Sequence, residues 1–377
     1  MNYYLLRHDF KGKQRAKVVD KLQALKDELA ATVPSKLFNE NVLIATWNIR
    51  DFGSNRFNPQ PRLKESLYYI GEIMSCFDLI AVQEVNENLT EFENLMRIMG
   101  PSWDYIMTDV SGNKERMVFI YDTNRVSFKK LAGEVVLTPK DKIKGALQFN
   151  RTPFVVAFQS GWFRFKLCTV HILFGGNSKK ELAHRTEEIE SIAENIKKRT
   201  RKFNENFILL GDFNIVDTTH QTMKALEKHD FFIPEAIKSK PSNMFKTKHY
   251  DQIAFNKKGV DYKFAENDNS AGTYDLYSSL FTEEQFDDYK SEIINVKKAY
   301  IKKKKEELKK ANTQEKKDKI NNQIKNATDF INSNAKLKNN YLNSWRTWQL
   351  SDHLPMWTEL KINFSQPYLE RIKKLNE

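Results

Sequence analysis

The sequence predicts an α/β (α+β) fold, a four-layer sandwich of two packed mixed β-sheets flanked by helices, with an inserted helical hairpin. Three observations predict it. Strand-like apolar runs alternate with amphipathic helices from Val42 to about Phe255. Some neighbouring strands are joined by connections too short for a crossover helix, so antiparallel pairs must accompany parallel ones. The composition changes between Phe281 and Trp348, which indicates an insertion.

The elements follow in chain order. An amphipathic helix is predicted over 11–31, because four apolar residues lie three or four positions apart: Val18, Leu22, Leu25 and Leu29. This helix defines an N-terminal helical extension, 1–40, that precedes a larger unit, 41–377. The strand-like runs of that unit are VLIATWNI, DLIAVQEV, MVFIYD, FVVAFQS, FRFKLCTVHI, NFILLGDF and DQIAF. Helices are predicted near residues 62–76, 89–99 and 179–198.

The Lys-rich insertion, 281–347, is predicted to be a hairpin of two helices. Apolar residues recur at helical spacing before and after a break near Ala311 to Thr313. Over residues 288–346 there are 16 Lys and Arg against 7 Asp and Glu, an excess of nine out of the chain's net +12. A solvated helix pair explains this composition. Binding to a nucleic-acid backbone and binding to a protein partner are the alternatives.

Composition and charge limit the class of protein. The chain has 377 residues and 40% hydrophobic content, enough for a packed core, and its net charge of +12 favours an anionic partner. No run reaches the roughly 18 apolar residues of a membrane span, and the first residues lack the apolar core of a signal peptide. Cys76 and Cys168 lie in apolar runs, as buried free thiols do. We therefore expect a cytoplasmic protein.

Five strand-like runs stop at residues that can bind metal or move a proton. A polar group buried without a partner costs on the order of 1–3 kcal/mol, so core packing does not explain these endings. The residues at the endings are Asn48, Glu84, His171, Asp212 with Asn214, and Asp352 beside His353. Five such endings indicate one shared site.

Oxygen ligands and a glycine characterise the first part of this site. Asn48 and Glu84 offer the hard oxygen ligands that Mg²⁺ and Ca²⁺ prefer, although a strand-end turn explains either residue alone. Asp212 and Asn214 lie on the same side of the chain if the backbone stays extended. Gly211 permits a close backbone approach.

Two histidines with carboxylate partners form the second part. His171 and His353 can exchange protons near neutral pH. Glu115 and Asp251 adjoin strand-like runs, and a carboxylate that accepts the ring N–H fixes the histidine tautomer. Two such pairs near a divalent ion suit phosphodiester hydrolysis, because one can deprotonate water while the other protonates the leaving oxygen.

The motifs WNIRDFG, VQEV, KER, NRTPF, TVH, GDFN, YDQI and SDH occur in this order. In this ordered set the chain resembles the endonuclease/exonuclease/phosphatase superfamily, and within it the deoxyribonuclease I-like branch. The resemblance covers about 42–255 and 348–362 and makes 41–377 the catalytic domain. The tyrosine of YDQI and the presence of His171 favour this branch over the abasic-site endonucleases. The motifs typical of inositol-phosphate phosphatases are missing.

The resemblance implies three groups of site residues. The ligands of a divalent metal, Mg²⁺ or alternatively Mn²⁺ or Ca²⁺, are Glu84, Asn48 and Asp352. The residues that act on protons, water or the scissile phosphate are His171, His353, Asp212, Asn214, Glu115 and Asp251. The residues that contact the substrate are Arg50, Arg151 and Asn214, with an ordinary surface ion pair as the alternative for each arginine.

Two positions depart from the family pattern. Asn86 follows QEV where related enzymes tend to carry an arginine that enters the minor groove. Asn113 lies two residues before Glu115, where a tyrosine often touches the sugar. Both changes argue against the usual minor-groove contacts. We therefore expect the basic hairpin to take part in substrate selection.

The predicted function is a metal-dependent endonuclease that hydrolyses DNA phosphodiester bonds to 5′-phosphate and 3′-hydroxyl ends. A phosphatase or phospholipase of the same superfamily is the enzymatic alternative. A nucleic-acid-binding module without catalysis is the alternative of another class, although the complete residue set argues against it. The N-terminal helix or the 281–347 hairpin offers a surface for a protein partner.

Overall fold

A computed structural model describes residues 1–53, 62–137, 148–203, 206–256 and 270–374. Its strands are β1 (Asn41–Phe52), β2 (Leu79–Asn86), β3 (Trp103–Met107), β4 (Glu115–Asp122), β5 (Ser127–Glu134), β6 (Phe154–Ser160), β7 (Phe163–His171), β8 (Phe207–Asp212), β9 (Phe231–Phe232), β10 (Asp251–Asn256), β11 (Ala271–Thr273) and β12 (Met356–Lys361). Its helices are α1 (Leu6–Asp9), α2 (Gly12–Thr32), α3 (Lys64–Ser75), α4 (Thr90–Met99), α5 (Lys179–Phe203), α6 (Gln221–Glu227), α7 (Glu235–Lys238), α8 (Phe286–Lys309), α9 (Gln314–Ile331), α10 (Asn334–Asn340), α11 (Arg346–Gln349) and α12 (Ser365–Lys374). A π-helical turn, Tyr341–Trp345, joins α10 to α11.

The strands form two six-stranded sheets. The first has the order β11-β12-β1-β2-β4-β3 and the second the order β5-β6-β7-β8-β10-β9. Each sheet contains one parallel pair, β1 with β2 and β7 with β8, and its other neighbouring strands are antiparallel. The predicted sandwich of two mixed sheets with flanking helices is confirmed.

The seven runs that the sequence listed as strands lie in strands. The expected strand ending at Asp352 and His353 is wrong, because both residues lie between α11 and β12, before that strand begins. Besides β12, four further strands were not predicted. Three of them, β3, β9 and β11, are short. The fourth, β5, is largely exposed and therefore lacks the apolar pattern on which the prediction depended. These four strands lie at the outer edges of the two sheets, away from the central strands that carry the site residues.

Strand β1 is buried on both faces. Val42 and Ile44 belong to the apolar cluster that also contains the strands of the second sheet, whereas Leu43 and Trp47 belong to the cluster on the outer face of the first sheet. This alternation follows from the period of two in a strand. Helices α3 and α4 complete the outer cluster, and α5 and α6 pack with the second sheet.

The N-terminal helix and the base of the insertion pack into the same outer cluster. Leu22 and Leu25 of α2 are buried there, together with Tyr289, Tyr341 and Trp345 of the insertion. The predicted hairpin is present as α8 and α9. Helix α9 starts after a cap in which the Thr313 hydroxyl accepts the Lys316 amide N–H at 3.4 Å. The boundary between an extension, 1–40, and a catalytic domain stays a prediction.

Two smaller expectations concern the membrane and the cysteines. Among the helices of the described residues, none has the length and apolarity needed to cross a bilayer. Cys168 is buried, Cys76 is half-buried, and both are free thiols.

Candidate active site

The second sheet places three site residues in one row. In the parallel pair of β7 and β8, His171 lies opposite Asp212. In the antiparallel pair of β8 and β10, Asp212 lies opposite Asp251. Gly211 is required beside this row because a Cβ there would lie 2.2 Å from the Val170 carbonyl oxygen. The predicted close backbone approach is therefore confirmed.

The first sheet brings two oxygen-bearing side chains to the same place. Asn48 lies near the end of β1, and Glu84 lies in β2 where the pairing with β4 shifts between Val82 and Val85. Glu84 has a φ of 64°, a left-handed backbone that a non-glycine residue rarely adopts. The Asn48 Nδ2 donates to Glu84 Oε1 and to Asp212 Oδ2, both at 3.1 Å. One amide thus joins the two sheets.

Each histidine contacts one of the two carboxylates, Glu115 and Asp251, that the sequence singled out as histidine partners. His171 Nδ1 lies 2.7 Å from Glu115 Oε1, and His353 Nδ1 lies 2.8 Å from Asp251 Oδ2. The Nε2 atoms face a common oxygen, because Asp212 Oδ2 lies 3.5 Å from that of His171 and 3.9 Å from that of His353. Two proton-exchanging nitrogens therefore converge on one carboxylate.

The carboxylates hold both imidazoles toward their charged forms. Burial lowers the pKa of His353, but Asp251 and Asp212 outweigh burial and keep this pKa well above its ordinary value. Burial likewise lowers the pKa of His171, and Glu115 more than offsets it, so that this pKa is also raised. The two histidines in turn lower the pKa of Asp212 against the opposing effect of burial.

The chemistry of the oxygen donors fits a divalent cation. Asn48 Oδ1 is buried and accepts no hydrogen bond from the described residues. Burial raises the pKa of the nearby Glu84, and Glu115 and Asp352 add to this effect while His171 opposes it. A hard cation would stabilise this arrangement, because it can coordinate the amide oxygen that lacks a hydrogen-bond donor. It would also offset the unfavourable burial of the Glu84 anion.

A second arrangement in the site also brings ligand atoms together. Asp212, Asp251 and His353 present atoms that lie within 4.8 Å of one another. In this set the bond between Asp251 Oδ2 and His353 Nδ1, at 2.8 Å, uses one atom of each residue and leaves Asp251 Oδ1 and His353 Nε2 without a partner in that pair. Asp352 is half-buried, and its backbone oxygen accepts the Met244 amide N–H at 2.8 Å.

The expected geometry of GDFN is wrong in one respect. Strand β8 ends at Asp212, and Asn214 has a φ of 52°, so the backbone is not extended between them. The Asn214 amide N–H donates to Asp212 Oδ1 at 2.8 Å, and its Nδ2 donates to the Ile172 carbonyl at 2.8 Å. A local side-chain bond thus replaces the strand, as short polar residues allow. Asn214 therefore lies in the site, where its backbone amide fixes the orientation of the Asp212 carboxylate.

Both arginines of the predicted substrate contact have protein partners. Arg151 is buried and forms an ion pair through its Nε with Glu115, the carboxylate that also holds His171. Arg50 Nη1 donates to the Thr347 hydroxyl at 2.6 Å. Their contact with a substrate stays a prediction.

Two site residues escaped the sequence analysis. The fully buried Ser351 Oγ donates to the Asn48 carbonyl at 2.7 Å and accepts the His353 amide N–H at 3.0 Å, so it joins β1 to the approach of β12. Its place in SDH was the only signal. The buried Arg185 donates to the Asn214 carbonyl at 2.9 Å and to the Gly176 carbonyl at 2.7 Å. A helical arginine gives no local sign of such a role.

Comparisons with known proteins find structural relatives only. A scan of family models and a search of curated proteins find no match. An endonuclease/exonuclease/phosphatase family protein from Bacteroides thetaiotaomicron matches at 16% identity and a TM-score of 0.50, over 86% of this chain and 99% of that chain. A functionally unknown conserved protein from Enterococcus faecalis matches at 12% identity and a TM-score of 0.50, over 84% and 98%. A mannosyl-6-phosphatase from Bacteroides thetaiotaomicron matches at 20% identity and a TM-score of 0.46, over 62% and 91%.

The chain therefore has the fold of the endonuclease/exonuclease/phosphatase superfamily. The resemblance drawn from the sequence motifs is confirmed at the level of the fold. The deoxyribonuclease I-like branch stays a prediction, because identities this low do not distinguish activities within one fold.

Proposed function

We propose that this protein is a divalent-metal-dependent phosphodiesterase, an endonuclease that hydrolyses DNA to 5′-phosphate and 3′-hydroxyl ends. The supporting observation is the convergence of two histidine–carboxylate pairs on Asp212 Oδ2, at 3.5 Å and 3.9 Å. Such an arrangement provides one proton acceptor and one proton donor on either side of a reacting group. The positive net charge of +12 suits a polyanionic substrate.

The metal would be held by Glu84 and by Asn48 Oδ1, with Asp352 nearby. Oxygen donors of this kind favour Mg²⁺, with Mn²⁺ or Ca²⁺ as alternatives. A bound divalent ion would stabilise the negative charge that develops on the scissile phosphate.

The chain's own residues handle the protons. Each histidine directs its Nδ1 toward a carboxylate, at 2.7 Å for Glu115 and 2.8 Å for Asp251, so each Nε2 is free to exchange a proton. One imidazole, in its neutral form, accepts a proton from the attacking water as the water oxygen bonds to phosphorus. The other donates a proton to the 3′-oxygen as the bond between phosphorus and that oxygen breaks. The products are a 5′-phosphate and a 3′-hydroxyl.

Asp212 positions the site from its centre. Its Oδ1 accepts the Asn214 amide N–H at 2.8 Å, and its Oδ2 accepts from Asn48 Nδ2 at 3.1 Å. These bonds fix the carboxylate between the two imidazoles, where it orients the water. Pre-organisation of this kind avoids reorganisation during the reaction.

The test is cleavage of supercoiled plasmid with Mg²⁺, Mn²⁺ or Ca²⁺. Wild type should nick the plasmid, EDTA should stop it, and DNA ligase should reseal the nick because both ends are of the required type. His171→Ala and His353→Ala should each lower the rate by about 10²- to 10⁴-fold, since each removes a proton-transfer group. His8→Ala, at an exposed position in α1, is the matched control and should retain the rate.

One result would contradict the proposal. If wild type cleaves neither DNA nor RNA but releases phosphate from inositol phosphates or cleaves a phospholipid, the protein is a phosphatase or phospholipase instead. Nucleic-acid binding without any hydrolysis would indicate a non-catalytic module.

A further inference from the structure

Helix α8 changes character along its length. Phe286, Tyr289 and Ile293 are its buried residues, and all three lie in its first half. Among the exposed lysines of the second half, four are spaced four, three and four residues apart: Lys298, Lys302, Lys305 and Lys309. Residues at this spacing share one face of a helix. We call these four residues the lysine stripe.

Two other lysines of this half of α8, Lys297 and Lys304, are used within the hairpin. Lys304 pairs with Glu307 at 2.6 Å and lies 5.5 Å from the centre of the Tyr300 ring. Lys297 lies 5.1 Å from the centre of the Phe330 ring on α9. The Lys297 contact joins the two helices and the Lys304 contacts lie within α8, so both lysines have a structural role.

The stripe itself is largely unpaired. Lys309 pairs with Glu306 at 2.8 Å. Within the described parts of the chain, Lys298, Lys302 and Lys305 have no ion pair or hydrogen bond through their ammonium groups. An exposed row of like charges repels itself, and the repulsion falls when a polyanion neutralises it.

We propose that the lysine stripe binds the phosphate backbone of the DNA substrate, as a surface separate from the cleavage site. The proposal rests on the proposed function for the identity of the polyanion. The stripe runs over twelve residues from Lys298 to Lys309, or about 16 Å at a rise of 1.5 Å per residue. Phosphates of one strand repeat about every 3.4 Å along a duplex axis, so the four ammonium groups can follow about five phosphates.

The surroundings of the stripe favour nucleic acid over a membrane. A helix that lies in a bilayer interface needs exposed large apolar side chains beside its basic ones. The exposed large apolar residues of the described chain lie elsewhere, and none falls within α8, α9 or α10. The apolar residues of the hairpin, such as Ile301 and Ile324, are at least half-buried.

The base of the hairpin connects the lysine stripe to β1 and the site. Tyr289, Tyr341 and Trp345 stack on one another, with ring centres 5.2 to 6.4 Å apart, and anchor α8 on the outer cluster. The chain then leads through α11, where Thr347 accepts from Arg50 of β1, into Ser351 and the site. The lysine stripe is therefore connected, through the base of the insertion, to the sheet that carries part of the site.

The experiment measures DNA binding by fluorescence anisotropy in EDTA, with the full chain and a labelled duplex, over a range of salt concentrations. The test variant replaces Lys298, Lys302, Lys305 and Lys309 by Gln. The control variant replaces Lys11, Lys13, Lys373 and Lys374, four exposed lysines elsewhere, and removes the same charge. Glutamine keeps the helix propensity of lysine, and circular dichroism checks the fold.

The test variant should bind at least tenfold more weakly at 100 mM salt, and its slope of log affinity against log salt should be shallower by about 3 to 4. The control should keep the wild-type slope. An unchanged slope in the test variant overturns the proposal, and so does an equal loss in the control. Binding to vesicles of phosphatidylcholine and phosphatidylglycerol through the stripe, without DNA binding, also overturns it.

Hydrolysis of bis(p-nitrophenyl) phosphate separates this proposal from the proposed function. The test variant should hydrolyse this small diester at the wild-type rate, because the stripe lies outside the site. If no variant hydrolyses it but the salt slope still falls, the catalytic proposal fails and the lysine stripe stands. If the diester is hydrolysed and the salt slope does not change, the catalytic proposal stands and the lysine-stripe proposal fails.

Discussion

The candidate active site and the base of the insertion both bury charged groups, but they satisfy them differently. In the site, Glu84, Asp212 and Asp251 crowd together, and Asn48 Oδ1 has no donor among the described residues. In the base of the insertion, the Tyr289 hydroxyl donates to the buried Glu65 and accepts from Lys21 Nζ at 2.9 Å. Lys21 also donates to Gln285 Oε1 at 3.1 Å.

This difference distinguishes a region that binds a ligand or carries out a reaction from a region that only holds the fold together. A buried polar atom without a partner lowers stability, so such atoms are retained where a ligand or a reaction uses them. The base of the insertion instead pairs its polar atoms and surrounds them with aromatic rings. We therefore expect substitutions in the two regions to have opposite effects on stability and activity.

The largest effect is expected from Trp345→Ala in the base of the insertion. Trp345 is buried and packs against three aromatic rings, so its removal should lower the free energy of unfolding by about 3 to 5 kcal/mol. Hydrolysis of a small phosphodiester should persist while the variant is folded. Urea denaturation measures the first quantity. Trp162→Ala, at a position 54% exposed, should change stability by less than about 0.5 kcal/mol.

If Trp345→Ala lowers the free energy of unfolding by less than about 1 kcal/mol, the aromatic cluster does not hold the insertion in place. Loss of activity in a folded Trp345→Ala variant would show that the two regions are coupled. Either result would break the comparison.

The next effect is a difference of sign between two glutamates, the half-buried Glu84 and the buried Glu65. Glu84→Gln should raise the free energy of unfolding in metal-free buffer by about 1 kcal/mol, because it removes one of several crowded carboxylates. Glu65→Gln should lower it by about 1 kcal/mol, because the charged acceptor of Tyr289 is lost. Thermal unfolding measures both.

Adding Mg²⁺ makes the contrast between Glu84→Gln and Glu65→Gln clearer. It should raise the Tm of wild type and of Glu65→Gln but leave that of Glu84→Gln unchanged, since a ligand stabilises only the folded state that binds it. If Glu84→Gln is destabilised without metal, the site carboxylate contributes to folding and the contrast is lost.

The smallest effect concerns pH and Lys21. Burial and Lys17 lower the pKa of Lys21 from 10.5 to about 8, against the opposing effects of Glu65 and Asp288. The unfolded chain therefore binds more protons at this position between pH 8 and 10.5, so wild-type stability should rise with pH there. Lys21→Met should show a flatter dependence between pH 7 and 10. Equal slopes for the two proteins would show that Lys21 titrates normally.

The sequence predicted much of the site because strand endings are local features. Apolar runs that stop at Asn48, Glu84, His171 and Asp212 indicated a shared site, and the structure brings these residues together. The backbone at Asn214 was predicted wrongly, because a left-handed turn held by a side-chain bond leaves no hydrophobic pattern. The weakly patterned edge strand β5 was missed for a related reason.

The long-range bonds could not be predicted from local pattern. Ser351 bonds the Asn48 carbonyl across 303 residues, and Arg151 shares Glu115 with His171 although the motifs placed it against the substrate. Such contacts depend on how the two sheets meet, which involves residues distant along the chain.

The sequence by itself determined the mixed sandwich, the helical insertion and the residue types of the site, because periodicity and strand endings are set by neighbours in the chain. Only the tertiary structure decided that Asp212 lies between the two imidazoles and that Asn48 joins the sheets. It also decided that Lys298, Lys302 and Lys305 of the lysine stripe are exposed and have no ion pair within the described part of the chain. The physical reason is that register across β7, β8 and β10, and burial at the base of the insertion, are properties of packing between distant segments.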